Sequence, residues 1–272
     1  MQLLKAITQY QFLQNAFAAC IMASVVCGII GVITTEKKLI MLSGGIAHTS
    51  YGGIGLGYLL GFEPILGALL FSVSAAIGIG YINRKGYQRS EILISLFWSV
   101  GMALGILFVA LAPGYPPELS TYLFGNILSV TKIDLYLMAA LSFAVVAIVA
   151  IFFNHWKAYL FDAEFAEILG IKTSVLEYLI LILIALSIVV LIKAVGIILV
   201  LALLTAPAAF SALLTHRFAL RMLYAIIFGS IFCVSGLFIS YYANIASGAS
   251  IVLLSSLCFA VAYAINQISL GK

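Results

Sequence analysis

SVLEYLILILIALSIVVLI, residues 174–192, contains one charged residue and is long enough to cross a bilayer as a helix. At about 1.5 Å per residue, such a helix extends over roughly 28 Å, close to the ~30 Å thickness of the hydrocarbon core. Similar apolar runs recur from Ala16 almost to the C-terminus. The sequence does not show the alternating pattern typical of a transmembrane β-barrel. We therefore predict an all-α fold, a polytopic bundle of membrane helices.

The composition supports a membrane protein. Of the 272 residues, 65% are hydrophobic and only 8% are charged, whereas a soluble domain usually carries about 25% charged residues. No polar segment is long enough to form a separate soluble domain, so residues 1–272 are interpreted as a single transmembrane domain. The four cysteines lie in apolar runs, where free cysteine behaves as a small hydrophobic residue rather than as a disulfide partner.

The apolar runs predict nine candidate helices. They cover about residues 13–34, 40–61, 64–82, 90–111, 133–153, 174–192, 194–214, 221–242 and 249–268. The junction near Lys193 leaves two interpretations open, because residues 174–214 form either two spans or one span followed by a re-entrant piece. The prediction is therefore a bundle of eight or nine transmembrane helices.

The distribution of basic residues predicts the orientation. With nine spans and the N-terminus outside, ten of the thirteen Lys and Arg residues fall on one side, which the positive-inside rule assigns to the cytoplasm. These ten are Lys37, Lys38, Arg84, Lys85, Arg89, Lys157, Lys172, Arg217, Arg221 and Lys272. The C-terminus is then cytoplasmic, and we expect a multi-pass protein of the plasma or inner membrane in contact with lipid. The basic residues are scattered over short loops, so binding to nucleic acid is not expected.

HWKAYLFDAEFAEILGIK, residues 155–172, is the longest predicted cytoplasmic segment and indicates a short helix. Asp162 is suited to the N-cap, Glu164 places a carboxylate in the first turn, and Gly170 is suited to a left-handed stop. Three residues recur every four positions and form one apolar face: Phe161, Phe165 and Leu169. The helix either rests on its own membrane domain or docks to a cytoplasmic partner, and composition does not separate the two.

GGIAHTSYGGIGLG, residues 44–57, places His48 among glycines within the second span. An ionisable side chain at this depth is costly and usually faces a cavity or a partner. Neutral imidazole is the form that binds a divalent metal. The alternative is a structural histidine whose ring is hydrogen-bonded to a carbonyl. The glycines also permit close helix contact, with Gly45, Thr49 and Gly53 on one face.

LLTAPAAFSALL, residues 203–214, contains a proline deep in the seventh span. Pro207 removes a helical hydrogen bond, so we predict that this helix kinks or breaks there. Broken helices in transporters commonly lie beside the substrate path. A kink that only improves packing is the alternative.

Motifs of soluble nucleotide enzymes are absent from the sequence. It contains no P-loop, and the glycines of residues 52–57 lie in an apolar span rather than after a strand. Intramembrane serine hydrolysis has Ser250 and His48 as candidate residues, but no supporting pattern. An enzyme is therefore the least favoured function, and we expect a transport subunit.

Five segments, in this order, resemble the permease subunits of zinc and manganese ABC importers, the ABC-3 family. They are IAHTSYGGIGLGYLLG, TYLFGNILSVTKIDL, FDAEFAEILGI, VGIILVLALLTAPAA and SGASIVLL. The resemblance implies a type II ABC importer that contains a homodimer of this permease, two ATP-binding subunits on the inner side and an extracytoplasmic solute-binding protein. ATP would bind only to the partner subunit, and this chain would carry no bound cofactor.

The resemblance also implies roles for individual residues. It makes residues 161–170 the coupling helix that docks to the ATPase, through Phe161, Asp162, Glu164, Phe165, Leu169 and Gly170. It makes His48 and Asn244 the metal-binding positions. It also implies that four residues border the translocation path or kink a helix beside it: Gly44, Gly52, Gly53 and Pro207.

Two positions depart from the family's pattern. Family members typically carry Asp at the position of Gly44, and often Asp at that of Asn244 with Pro at that of Ala246. Both expected carboxylates are therefore missing, although divalent cations prefer anionic oxygen or several nitrogens. We predict a metal-importer permease that works by ATP-driven alternating access on zinc or manganese. The alternative is a permease of the same fold for a chelated metal or a small organic solute.

Overall fold

The structure is a computed structural model that describes residues 10–85, 90–114 and 120–270. This part of the chain is helical and contains no strand. The helices are α1 (Gln11–Glu36), α2 (Ile40–Leu60), α3 (Pro64–Arg84), α4 (Ser90–Leu111), α5 (Ser120–Phe124), α6 (Lys132–Ile151), α7 (Phe153–Phe161), α8 (Ala163–Ile168), α9 (Thr173–Val195), α10 (Ile197–Leu214), α11 (Phe218–Ala243) and α12 (Ser247–Leu270). A 3-10 turn covers Ile127–Ser129.

The long helices correspond to the nine predicted spans, with ends displaced by at most a few residues. Eight of them are both long enough and apolar enough to cross a membrane. The other one, α2, is 21 residues long but carries six glycines and several polar residues. Most of α2 is buried by its neighbours, so its polar groups face protein. An all-α membrane bundle is confirmed.

Two groups of helices surround the centre of the bundle. In one group, α2 packs between α3 and α4, and α3 continues the contact to α9. In the other, α10, α11 and α6 pack around α1, and α12 covers α10 and α11. Both α1 and α9 are buried along most of their length. The core is therefore made by α1, α2 and α9, on which the outer helices pack.

A single residue, Gly196, separates α9 from α10. Its φ of 82° lies in the left-handed region, which favours glycine. A Cβ on Gly196 would also lie 2.4 Å from the backbone nitrogen of Gly125, so there is no room for a side chain. Because α9 has 23 residues and α10 has 18, each is long enough to be a span, and a re-entrant piece is not needed.

Ion pairs mark the two ends of the bundle. At one end, Arg221 of α11 pairs with Glu36 of α1. At the other, the Lys193 Nζ of α9 lies 3.4 Å from the Asp134 Oδ1 of α6. We call these the Arg221 end and the Gly196 end, and the positive-inside bias predicts that the Arg221 end faces the cytoplasm. The orientation stays a prediction, since residues 1–9, 86–89 and 271–272, with basic residues Lys5, Arg89 and Lys272, lie outside the described residues.

Candidate functional site

The imidazole of His48 lies inside the bundle, where α2 meets α4. The residue is 9% exposed, and its ring stacks on the indole of Trp98, with centroids 4.2 Å apart and planes 15° from parallel. The buried Nδ1 has no hydrogen-bond partner among the described residues. The ring is therefore held by stacking, and a hydrogen bond from Nδ1 to a carbonyl, the structural alternative, is not observed.

Trp98 also fills the space beside Gly44, one helical turn before His48. A Cβ on Gly44 would lie 3.1 Å from Cζ3 of the indole. This contact is too tight for the ring to stay where it is. An aspartate at this position, as the resemblance leads one to expect, would require the Trp98 ring to shift. The absence of an acidic side chain at Gly44 thus allows the Trp98 ring to pack closely against α2.

Gly52 and Gly53 lie at close contacts between helix backbones. A Cβ on Gly53 would lie 2.0 Å from the carbonyl oxygen of Gly67 on α3, and one on Gly52 would lie 2.9 Å from the carbonyl oxygen of Gly101 on α4. These distances leave no room for a methyl group. The glycines therefore allow α2 to approach both neighbours, as expected for small residues at membrane helix contacts.

Asn244 lies far along the bundle from His48. It ends α11 in the left-handed conformation, with φ 53° and ψ 45°, at the Gly196 end, where Gly248 of the next helix lies beside the Val195 carbonyl. By contrast α2 starts at the Arg221 end and reaches His48 after eight residues, about 12 Å of helix. Within the described part of the chain, His, Cys, Asp and Glu do not form a group of three or more that could hold a metal ion. The two predicted ligand positions are thus placed at different levels.

Pro207 is buried within α10, which continues from Ile197 to Leu214 without a break. The ring packs at the contact with α11, where a Cβ on Gly229 would lie 3.6 Å from the Pro207 Cγ. At that distance a Cβ would be in ordinary van der Waals contact with the ring, so the proline packs directly beside the Gly229 backbone. A kink or a break was predicted at Pro207, and a break is not observed.

The ends of α8 agree with the predicted capping. The Asp162 Oδ1 accepts hydrogen bonds from the backbone N–H groups of Glu164 and Phe165, at 2.9 and 3.1 Å, and Gly170 has a φ of 81°. Phe161 is 91%, Phe165 53% and Leu169 58% exposed. These three side chains form the apolar face at α8, which is therefore open to the surroundings and does not rest on the bundle.

Polar contacts connect α8 to the membrane helices. The Thr173 hydroxyl at the start of α9 donates to the Glu167 carboxylate. One turn further along α9, Glu177 accepts hydrogen bonds from the Asn83 amide, at 2.8 Å, and the Arg84 guanidinium, at 3.2 Å. Both donors lie at the end of α3. The polar connection from α8 to α3 therefore consists of two side-chain contacts on α9, at Thr173 and at Glu177, one helical turn apart.

A cation–π contact lies beside this connection. The Lys37 Nζ is 3.7 Å from the ring centroid of Tyr159 on α7. Burial raises the pKa of the Tyr159 phenol to about 12, so the ring stays neutral at physiological pH. Burial also lowers the pKa of Lys37 from its ordinary value, against the opposing effect of the Glu177 and Asp162 carboxylates. The contact ties the α1–α2 loop to α7.

Sequence reasoning missed Trp98 and Glu177. Nothing in the sequence indicated that Trp98 belongs to the site, because it contacts a residue fifty positions away, His48. Glu177 did give a signal, since it is the single charged residue in the apolar stretch of residues 174–192, and charges in such stretches commonly have a specific partner.

Relatives of the chain extend over nearly its whole length. A membrane protein of Synechocystis sp., described as uncharacterised, is 38% identical over 259 residues, covering 95% of this chain and 92% of that protein. The manganese transport system membrane protein MntC of Listeria monocytogenes is 33% identical over 263 residues, covering 97% and 94%. A solved structure of PsaBC from Streptococcus pneumoniae in complex with Fab matches with a TM-score of 0.87 and 30% identity, over 96% of this chain and 94% of that one.

The sequence also matches the ABC 3 transport family over residues 9–266. This range contains α1 to α11 and most of α12, with His48, Trp98 and α8. The chain therefore belongs to the ABC 3 transport family.

Proposed function

We propose that this chain is the membrane-spanning permease subunit of an ABC importer and that it translocates a divalent metal ion of the manganese or zinc class. Its close relatives include a protein named for manganese transport, matched over 97% of the chain. The observation that carries the proposal is the buried imidazole of His48, whose Nδ1 lacks a hydrogen-bond partner among the described residues. A neutral imidazole inside a membrane bundle is a ligand that borderline divalent metals accept.

The proposed mechanism is alternating access driven by a partner. ATP binds to a separate subunit, which docks on the exposed apolar face of α8. Movement of α8 passes to α9 through Glu167 and Thr173, and to α3 through Glu177. The close contact of Gly53 with Gly67 then joins α3 to α2, which carries His48. Two copies of the permease and a solute-binding protein at the Gly196 end complete the proposed assembly.

Weak binding of the metal ion at His48 is compatible with transport, because the ion must also be released. One imidazole, without a carboxylate at Gly44 and with Asn244 at a different level, holds a divalent ion loosely. Conduction requires that an ion can leave its site as well as enter it. The solute-binding protein would then select the ion, and the permease would pass it on.

The position of Trp98 favours a second candidate cargo. Its indole occupies the space beside Gly44 and covers one face of His48. An aromatic surface next to an imidazole suits a chelated metal or a flat organic solute better than a bare hydrated ion. On this alternative, the permease has the same fold and partners and differs only in what it carries.

ATP-dependent uptake into vesicles tests the proposal. The permease is reconstituted with its ATP-binding subunit and solute-binding protein, and uptake of radioactive Mn²⁺ or Zn²⁺ is measured. We expect His48→Ala to abolish uptake while the complex still assembles and binds ATP. His155→Ala, at an exposed position on α7, is the matched control and should transport normally. Full uptake by His48→Ala would refute the role of His48, and uptake of a metal chelate but not of the free ion would favour the second cargo.

A further inference from the structure

A cavity of about 740 Å³ opens at the Arg221 end between α1, α7 and the start of α11. Its lining includes one lysine and two arginines, Lys157, Arg217 and Arg221, and also His216. Phe153 and Phe218 form apolar walls, and their ring centroids are 5.5 Å apart. The cavity is thus large enough for a small-molecule headgroup and combines positive charge with aromatic surface.

The positive charge of this cavity is only partly neutralised. Glu36 is the acidic residue in its described wall, and it pairs with Arg221. Arg221 is 9% exposed, and its Nε has no hydrogen-bond partner in the described structure. Lys157 and Arg217 form no ion pair with the residues that the structure describes. Three cations therefore face one carboxylate.

The first turn of α11 adds to the attraction for an anion. This helix has 26 residues, its N-cap Arg217 makes no side-chain cap hydrogen bond, and its first turn contains no acidic residue. The first backbone N–H groups of a helix lack partners within the helix and carry partial positive charge. Phe218 and Ala219 line the cavity, so the start of α11 borders it, and this is the end of a helix that attracts a phosphate.

An exposed apolar stripe leads away from the cavity along α11. Ala219 lines the cavity, and Leu223, Ile227 and Ile231 follow it at intervals of four residues, each between 42% and 50% exposed. Residues at this spacing lie along one side of a helix. The stripe runs from the charged cavity toward the middle of the bundle, as an acyl chain would run from a headgroup.

We propose that this cavity binds the phosphate of an anionic phospholipid, with an acyl chain along the stripe of Leu223, Ile227 and Ile231. The basic groups and the start of α11 explain binding of a phosphate, and the adjoining apolar stripe distinguishes a lipid from free phosphate or from an acidic side chain of another protein. Basic pockets at the cytoplasmic ends of membrane helices are suited to such headgroups. The inference goes beyond transport and does not depend on the identity of the cargo.

Lipid retention by the purified complex of permease and ATP-binding subunit tests this proposal. The complex is incubated with phosphatidylglycerol or phosphatidylcholine, and bound lipid is counted by native mass spectrometry. We expect the wild type to retain phosphatidylglycerol in preference, and the double variant Lys157→Gln/Arg217→Gln to lose roughly tenfold or more of that preference. The control Lys38→Gln/Lys172→Gln removes two exposed cations outside the cavity and should behave as wild type. Equal retention by the cavity variant would overturn the proposal.

Two further measurements distinguish a lipid in this cavity from the other possible occupants, free phosphate and a protein partner. Glycerol phosphate, which has the headgroup without acyl chains, should compete poorly with phosphatidylglycerol, and Leu223→Ser/Ile227→Ser should reduce lipid retention. Efficient competition by glycerol phosphate would identify a site for free phosphate and contradict the lipid proposal. If the cavity variant keeps its lipid but releases the ATP-binding subunit, the cavity is a protein docking surface and the proposal is wrong. Both readouts are binding measurements, so they are independent of uptake.

Discussion

The indole of Trp98 covers the imidazole of His48, with the ring centroids 4.2 Å apart. Stacking of this kind orients a ring without using its nitrogen atoms. It also means that a cargo reaching His48 either approaches the uncovered face or moves the indole. Trp98 is therefore expected to affect which cargo the permease accepts, and its indole lies tightly against the position that a Cβ on residue 44 would take.

The first prediction concerns this exchange of a carboxylate for an indole. Gly44→Asp alone should destabilise the permease by about 1–3 kcal/mol, because the new side chain overpacks against Trp98. Gly44→Asp/Trp98→Ala should instead place a carboxylate one turn before His48, on the same face of α2. We expect it to bind Mn²⁺ roughly tenfold or more tighter than Trp98→Ala, a gain of ~1.4 kcal/mol. Equilibrium dialysis of the purified variants measures the difference.

The control for this experiment removes only the charge. Gly44→Asn/Trp98→Ala has the same shape as the aspartate variant and should bind Mn²⁺ no better than Trp98→Ala. If Gly44→Asp binds tightly and folds stably with Trp98 in place, the two side chains do not compete for space.

A second prediction tests the close contact between α2 and α3. Gly53→Ala should lower the free energy of unfolding by about 1–3 kcal/mol, since its methyl group would meet the carbonyl of Gly67. Gly78→Ala, on α3, is the matched control, because its Cβ would find Phe97 at an ordinary 3.7 Å. That control should be neutral or stabilise by about 0.5–1 kcal/mol. Thermal unfolding in detergent compares the two, and equal stability of both variants would argue against the contact.

The exposed face of α8 leads to a third prediction. Phe165→Asp/Leu169→Asp should release the ATP-binding subunit, because burying a carboxylate in the proposed apolar contact is costly. Co-purification of the two subunits measures the loss. Asn154→Asp/His155→Asp adds two carboxylates at exposed positions of α7 and should leave the complex intact. A complex that survives the change on α8 would show that the subunit docks elsewhere.

A fourth prediction concerns transmission through Glu177. Glu177→Ala leaves the Asn83 amide and the Arg84 guanidinium without this acceptor, at a cost of about 1–3 kcal/mol. The ATP-binding subunit should still dock on α8, but solute-dependent stimulation of its ATPase should fall. Glu91→Gln, at an exposed position on α4, serves as the control. Normal stimulation in Glu177→Ala would exclude this connection from the coupling.

The positions of the long helices were predictable, because each must be about 20 apolar residues long to cross the membrane. The ends of α8 were also predictable, since Asp162 and Gly170 act through contacts a few residues away. The stacking of Trp98 on His48 was not, because it depends on how α2 packs against α4. At Pro207 a kink or a break was expected, and α10 continues without a break from Ile197 to Leu214, with the proline ring packed at the contact with α11.

The tight turn at Gly196 has a mechanical consequence for α9. The Gly196 backbone lies against that of Gly125 with no room for a side chain, so this end of α9 is tightly packed. α9 is about 35 Å long, so its two ends lie at opposite ends of the bundle. On the coupling route proposed above, a push from α8 at Thr173 would therefore displace that end of α9 more than the Val195 end, which the packing at Gly196 holds in place.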